Sequence, residues 1–251
     1  MNNPPRSDRQ LHRLRVWDAL QQGWKGFMLA PWVLVGFQGL WAALVLLCGV
    51  IQDHFANLHA KTADTATALA ALICLGAGVL LILWGWVGMI KGSRCVLSGQ
   101  QPRLSAMAHW DGAGMARIAR SYGILMALLC SLIIPIMALR ILVLGLEVQP
   151  VLGLVPFVLA IVLLSYVAVN QLFLGHIMLF QNLGSLEAIQ SGRRVVDGHW
   201  FQVFILLVIE LLLATLGLLA YGFGLIVVTP LIICITTAAY RQLYSPTQLA
   251  H

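Results

Sequence analysis

An all-α polytopic membrane protein, with six transmembrane helices in three hairpins and both termini in the cytoplasm, is the fold this sequence predicts. Three observations predict it. Mean hydropathy is +0.90 with only 10% charged residues, a composition that excludes an ordinary soluble enzyme. Uncharged stretches recur at lengths sufficient to cross a hydrocarbon core of about 30 Å, which takes roughly 20 helical residues at about 1.5 Å each. Lys and Arg fall in alternate connections, 13 of the 15 on one side, the pattern that cytoplasmic loops retain.

Residues 1–26 read as a cytoplasmic tail and an interfacial helix. Leu11, Leu14, Trp17, Leu20, Trp24 and Phe27 recur at intervals of three or four, which places them on one helical face with Arg13, Arg15 and Lys25 available to headgroup phosphates. Pro31 makes a natural break before the first span. Residues 27–244 form the six-helix membrane domain. The spans are expected at about 27–51, 67–90, 121–146, 151–180, 200–218 and 222–240. The last apolar block is too long for one crossing, and Gly217, Tyr221, Gly222 and Gly224 near its middle supply a tight turn. The first run begins too late to be a cleaved secretory signal and is expected to stay as an anchor. Residues 245–251 form a cytoplasmic tail.

Seven of the eight tryptophans, all but Trp41, fall near the cytoplasmic face, where an amphipathic ring suits the headgroup zone. Cytoplasmic connections are the longer ones and carry helical patterns. The third echoes the first at an offset of 169 residues. Asp18-Ala-Leu-Gln-Gln-Gly-Trp-Lys25 aligns with Glu187-Ala-Ile-Gln-Ser-Gly-Arg-Arg194, with Ala, Gln and Gly identical, so an internal repeat is expected. The five cysteines (Cys48, Cys74, Cys95, Cys130, Cys234) form no CxxC pair and read as small apolar side chains. Cys48 and Cys74 are the pair able to meet near the outer face.

The segment Ser185-Leu-Glu-Ala-Ile-Gln-Ser-Gly-Arg-Arg-Val-Val-Asp-Gly-His-Trp-Phe201, the run Gly222-Phe-Gly-Leu-Ile-Val-Val-Thr-Pro230-Leu and the closing Ala238-Ala-Tyr-Arg-Gln-Leu-Tyr244 resemble a broad bacterial group. These are uncharacterised six-helix membrane proteins related to the membrane domain of glycerophosphoryl diester phosphodiesterases. Gly23-Trp-Lys-Gly-Phe27, continued by Ala30-Pro-Trp32, looks like the start of that group's membrane domain. The resemblance implies a six-helix fold in a bacterial cytoplasmic membrane and carries no shared activity. No hydrophilic stretch is long enough to hold a soluble phosphodiesterase domain.

Glu210 stands alone among Leu and Ile, ten residues beyond Trp200, so at helical rise it lies about 15 Å deep. A charged carboxylate there is costly and is expected to be protonated, paired or turned to a polar cavity. Asn170, Gln171, Gln38 and Thr229 fall at a similar expected depth, giving a candidate midplane polar layer that serves either as a proton or solute path or as hydrogen-bonded packing. Arg140 is expected to snorkel to the outer interface. His176 reads as a satisfied interfacial histidine, and the other histidines make no metal-ligand spacing. There is no Walker loop, no HExxH site and no GxSxG elbow, and Ser185 is expected to cap a helix. No catalytic residue, metal or cofactor is expected.

The reading that follows is a non-catalytic integral membrane protein that organises lipids or partner proteins at the inner leaflet. Arg13, Arg15, Lys25, Arg193 and Arg194 are its candidate contacts with anionic inner-leaflet lipid. Nucleic acid is not an expected partner, because the basic residues flank spanning helices. A small-solute or proton-coupled transporter built on the Glu210 layer is the alternative.

Overall fold

The computed structural model describes residues 14–145, 154–181 and 183–244. Ten helices follow one another among them: α1 (Val16–Leu29), α2 (Pro31–Thr62), α3 (Thr65–Leu97), α4 (Leu104–Met107), α5 (Gly112–Gly145), α6 (Leu154–Gln171), α7 (Leu174–Phe180), α8 (Ser185–Asp197), α9 (Trp200–Leu219) and α10 (Leu225–Leu243). Six segments are long and apolar enough to cross a membrane: α2, α3, α5, α6 with α7, α9 and α10. The protein is therefore an all-α, multi-pass membrane protein.

Three hairpins form as expected. α2 and α3 run antiparallel in close contact because glycines on α3 admit large side chains from α2: Gly85 faces Trp41, Gly88 faces Phe37 and Gly92 faces Leu34. Their outer turn places Ala63 at φ 52°, and the Asp64 carboxylate accepts the Ala66 N–H at 3.3 Å to start α3. Near that end the Cys48 thiol donates to the Cys74 carbonyl at 3.1 Å, and both cysteines are free thiols. In the third hairpin the predicted glycine cluster makes the turn. Gly222 sits at φ 79°, and a Cβ on Gly224 would lie 2.6 Å from the Gly217 carbonyl oxygen. The second hairpin is α5 with α6, whose connection lies outside the described residues.

Several expected boundaries shift. α2, α3 and α5 continue for one to three turns beyond the hydrophobic windows, because polar residues at 52–62, 91–97 and 112–120 keep the helix while leaving the apolar stretch. The fourth span is broken. Leu172 and Phe173 interrupt it between α6 and α7, where the Leu172 N–H turns to the Val169 carbonyl at 3.5 Å. Gly192 of α8 brings its Cβ position to 3.1 Å from the Asn170 carbonyl, so backbone released by the break is enclosed by protein, as membrane-embedded irregular backbone must be. α7 fills the centre: Leu174, His176, Ile177 and Met178 are all buried.

The core concentrates at the end of the bundle that carries the basic residues, while the opposite halves of α2, α3 and α5 present apolar side chains outward. At the basic end Lys91 bonds Asp111 at 2.6 Å, and the lysine with the Gly114 N–H holds the Asp111 carboxyl below the usual carboxylate range.

α1 departs from its expected placement. Arg15 N–H donates to Gln242 Oε1 at 3.0 Å, and the Cβ position of Gly23 lies 2.6 Å from Ile235 Cα, so α1 runs antiparallel along α10. The expected stripe splits: Leu14 and Phe27 are buried, whereas Trp17 and Trp24 are 69% and 50% exposed, and Leu11 lies outside the described residues. The packed face is Ala19, Gly23 and Gly26, whose small side chains permit the close backbone approach that drives helix association in lipid. α8 docks by the same face. Ala188 and Gly192 are buried there, and Gln21 and Gln190 are both exposed, so the two matching segments share burial at six of eight positions. Ser185 is the first residue of α8 and not its cap. Gly184 precedes the helix, and the Glu187 carboxylate accepts the Gly184 N–H at 3.3 Å.

The sequence pattern of 13 Lys and Arg residues in alternate connections predicts the orientation. In protein freed of native cysteines, single cysteines at Lys61 and Tyr221 are expected to react with an impermeant thiol reagent added outside sealed, right-side-out cells. Cysteines at Gln101 and Ser191 are expected to stay unlabelled; labelling of this second pair overturns the orientation.

Candidate functional site

The five residues of the expected midplane layer do not make one site. Glu210 is buried in the middle of α9, and the Thr236 hydroxyl of α10 donates to its Oε1 at 2.7 Å. Asn170 Nδ2 donates to the Tyr166 carbonyl at 3.0 Å, and Gln171 Nε2 to the Ile189 carbonyl of α8 at 3.4 Å. Because α8 lies at the basic end, Asn170 and Gln171 belong there and not beside Glu210. The helix break is the cause, since a depth counted along one straight helix from residue 181 does not survive it. Gln38 is buried in α2 with its Oε1 unpartnered, and Thr229 is half-buried on α10. Among the described hydrogen bonds, none joins two of the five.

A different constellation lies where α3, α7 and α10 meet. Thr237 Oγ1 is 2.6 Å from the Ile233 carbonyl, 2.7 Å from Ser93 Oγ and 2.9 Å from His176 Nε2. The hydroxyl carries a single proton. If it donates to Ile233, its lone pairs accept from Ser93 and from His176, which fixes the Nε2–H tautomer and leaves Nδ1 as an acceptor without a partner. Tyr240, one turn along α10, stacks on the His176 ring at 5.4 Å and accepts a hydrogen bond from Gln181 Nε2 at 3.0 Å. Tyr244 stacks on Tyr240 at 4.5 Å, and burial pushes its phenol up. His176 is thus bonded through one ring nitrogen only, in part what the sequence led one to expect.

This cluster forms the floor of a cationic cleft. A pocket of about 100 Å³ is lined by Arg94, Ser98, Phe180, Thr237, Tyr240 and Arg241. A broader groove of about 560 Å³ adjoins it through Arg241 and is flanked by Gln22 and Lys25 of α1 and by Leu97 and Gly99. Local structure explains the arrangement. Gly99, at φ 76°, ends α3 with paired backbone bonds from Gly99 N to Val96 O at 3.0 Å and from Gln100 N to Cys95 O at 3.1 Å, a Schellman closure. The remaining Leu97 carbonyl accepts from the Arg241 guanidinium. The Arg94 guanidinium stands 4.3 Å over the Phe180 ring, a cation–π contact that holds it at the cleft wall. Arg94 and Arg241 thus line the pocket beside Phe180 and Tyr240, and Arg241 with Lys25 of α1 lines the groove next to it.

Of the residues expected to meet headgroups, Lys25 lines this cleft. Arg15 and Arg193 are exposed and pair with neighbours on their own segments, Asp18 at 3.1 Å and Asp197 at 3.7 Å. Arg194 is exposed on α8, and Arg13 lies outside the described residues. Arg140 stands 5.4 Å over the Phe157 ring. Sequence reasoning missed Arg94 and Arg241 as site residues. The spacing Thr237, Tyr240, Arg241, Tyr244 is a polar helical face at i, i+3, i+4 and i+7 and is the signal that could have found half of the cleft.

No family model matches the chain, and neither the curated proteins nor the solved structures contain a match.

Proposed function

We propose that this multi-pass membrane protein is non-catalytic and binds anionic phospholipid headgroups in the cleft between α1, α3 and α10, organising lipid at the inner leaflet. The observation that carries the reading is that Arg241 lines both the pocket walled by Arg94 and the adjoining groove flanked by Lys25, at the basic end. A phosphate diester is an acceptor-only anion, and guanidinium groups supply donors in a planar fork that suits it. Phe180 and the stem of Lys25 offer apolar surface for the glycerol region beneath. The exposed Trp17, Trp24 and Trp32 around the same end suit the headgroup zone. A bacterial cytoplasmic membrane, which the resemblance to six-helix bacterial proteins implies, belongs to the same reading.

Native mass spectrometry of the purified protein tests it, with phosphatidylglycerol and phosphatidylcholine titrated in parallel. Wild-type protein is expected to retain phosphatidylglycerol preferentially. Each basic group beside an anionic surface contributes about 1 kcal/mol, so Arg94→Gln with Arg241→Gln is expected to weaken that retention about 30-fold and to leave phosphatidylcholine unaffected. Lys25→Gln, which disturbs no helix end, is expected to weaken it about 5-fold. Equal retention of the two lipids by the wild type, or unchanged retention by the double variant, overturns the proposal.

A further inference from the structure

Beyond the proposed lipid cleft, Glu210 is a buried carboxyl that the cleft does not use. Glu210 lies at the midpoint of α9, in a strongly apolar span, with residue exposure of 6%. Its partner, Thr236, is equally enclosed. The Thr236 hydroxyl has two acceptors within reach, Glu210 Oε1 at 2.7 Å and the Ile232 carbonyl of its own helix at 2.9 Å, yet it carries one proton. We infer that Glu210 and Thr236 form a proton-binding site inside the bundle, with the proton as ligand and the threonine as a partner that fits both states.

The geometry accommodates each state without rearrangement of the helices. With Glu210 ionised, Thr236 donates to the carboxylate. With Glu210 protonated, the carboxyl O–H donates to Thr236 Oγ1, and the threonine returns its own proton to Ile232. One hydroxyl thus satisfies the buried acid on either side of the equilibrium, where a backbone N–H or a lysine would favour only the ionised form.

No competing charge is arranged around it. The helices packed on α9 are α1, α6, α8 and α10. On α1 Asp18 pairs with Arg15 and Lys25 faces the cleft, and on α8 Asp197 pairs with Arg193 and Glu187 bonds Gly184. Arg194 of α8 is exposed. On α10 Arg241 bonds Leu97 and Tyr240 bonds Gln181. Cys234 of α10 and Tyr166 of α6 complete the titratable groups on these helices, and neither is hydrogen-bonded to Glu210 among the described residues. Thr236 is followed by Thr237, which ties α10 to Ser93 of α3 and His176 of α7 and lines the cleft. Proton binding at Glu210 therefore acts on the helix position next to that junction. Because a threonine bonded to the carbonyl four residues back tends to bend its helix, the two states differ in a force on α10.

Infrared difference spectroscopy of the reconstituted protein, titrated from about pH 4 to about pH 10, reads the site directly. A protonated carboxyl carbonyl band is expected at the acid end and is expected to vanish as pH rises. The Glu210 component, isolated by subtracting the Glu210→Gln titration so that the other eight of the nine side-chain carboxyl groups cancel, should be displaced to higher wavenumber in Thr236→Val, which removes its hydrogen-bonding partner. If Glu210→Gln does not fold, displacement of the band in Thr236→Val assigns it. A band that persists across the whole range, one that never forms, or one that Thr236→Val leaves in place overturns the inference.

Discussion

Gly23→Ala is expected to destabilise the protein by about 3 kcal/mol, the upper end of what overpacking costs, and to release α1 from α10. The reason is local and geometric. A Cβ at this position would stand 2.6 Å from Ile235 Cα and 2.7 Å from Ile235 N, and backbone atoms of a helix cannot swing aside as a side-chain tip can. Gly36→Ala is the control, because the same methyl there meets nothing within 4 Å, and alanine gains up to about 1 kcal/mol of helix propensity over glycine. Denaturant unfolding in detergent measures both. Since Gln22 and Lys25 reach the cleft only while α1 is docked, Gly23→Ala should also weaken phosphatidylglycerol retention. A Gly23→Ala protein as stable as wild type would show that α1 does not pack on α10 as described.

Gly88→Ala is expected to have a comparable effect by a separate route. Its Cβ would lie 2.5 Å from Phe37 Cζ and 2.6 Å from the Met107 carbonyl oxygen, wedging α3 away from α2 and from α4 together. The ring of Phe37 is itself fully buried and lies 5.3 Å from Trp84, so it has no free volume to enter. Trp84 reports the displacement, because its Nε1–H donates to the Ala108 carbonyl at 2.9 Å and loses that partner when α4 shifts. About 3 kcal/mol of lost stability is expected, with a change in the Trp84 component of the fluorescence that Trp84→Phe removes. Unchanged unfolding together with unchanged emission would contradict the packing of α4 on this helix pair.

The six spans were legible because a bilayer imposes its thickness on composition, and hydropathy reads composition directly. Their ends were less legible. Residues 52–62 and 112–120 are polar enough to leave the hydrophobic window, yet they are helical, and nothing in hydropathy distinguishes a polar helix from a polar loop. The break in the fourth span was invisible because Leu172 and Phe173 are as apolar as their neighbours, and counting depth through it misplaced Asn170 and Gln171. Glu210 was found because a lone carboxylate in an apolar run is conspicuous. Arg94 and Arg241 were not, since each looked like one more orientation charge. They are 147 positions apart and become a site only once α3 and α10 lie side by side. The small-residue face shared by α1 and α8 was visible as an echo of residues, but which face it marked depended on seeing Ile235 and Asn170 against it.

The first hairpin has a mechanical consequence. α2 contains 32 residues, a rod of about 48 Å at helical rise, against a hydrocarbon core of about 30 Å. Tilt absorbs some of the excess, and the rest must project. His54, His59 and Lys61 are carried on that projecting end, which turns at Ala63 with His54 and Lys61 exposed and His59 half-buried. A short insertion between Ala63 and Asp64 would sit at the summit of a stiff mast well clear of the lipid, and movements of the basic end would reach it as changes in the mast's inclination.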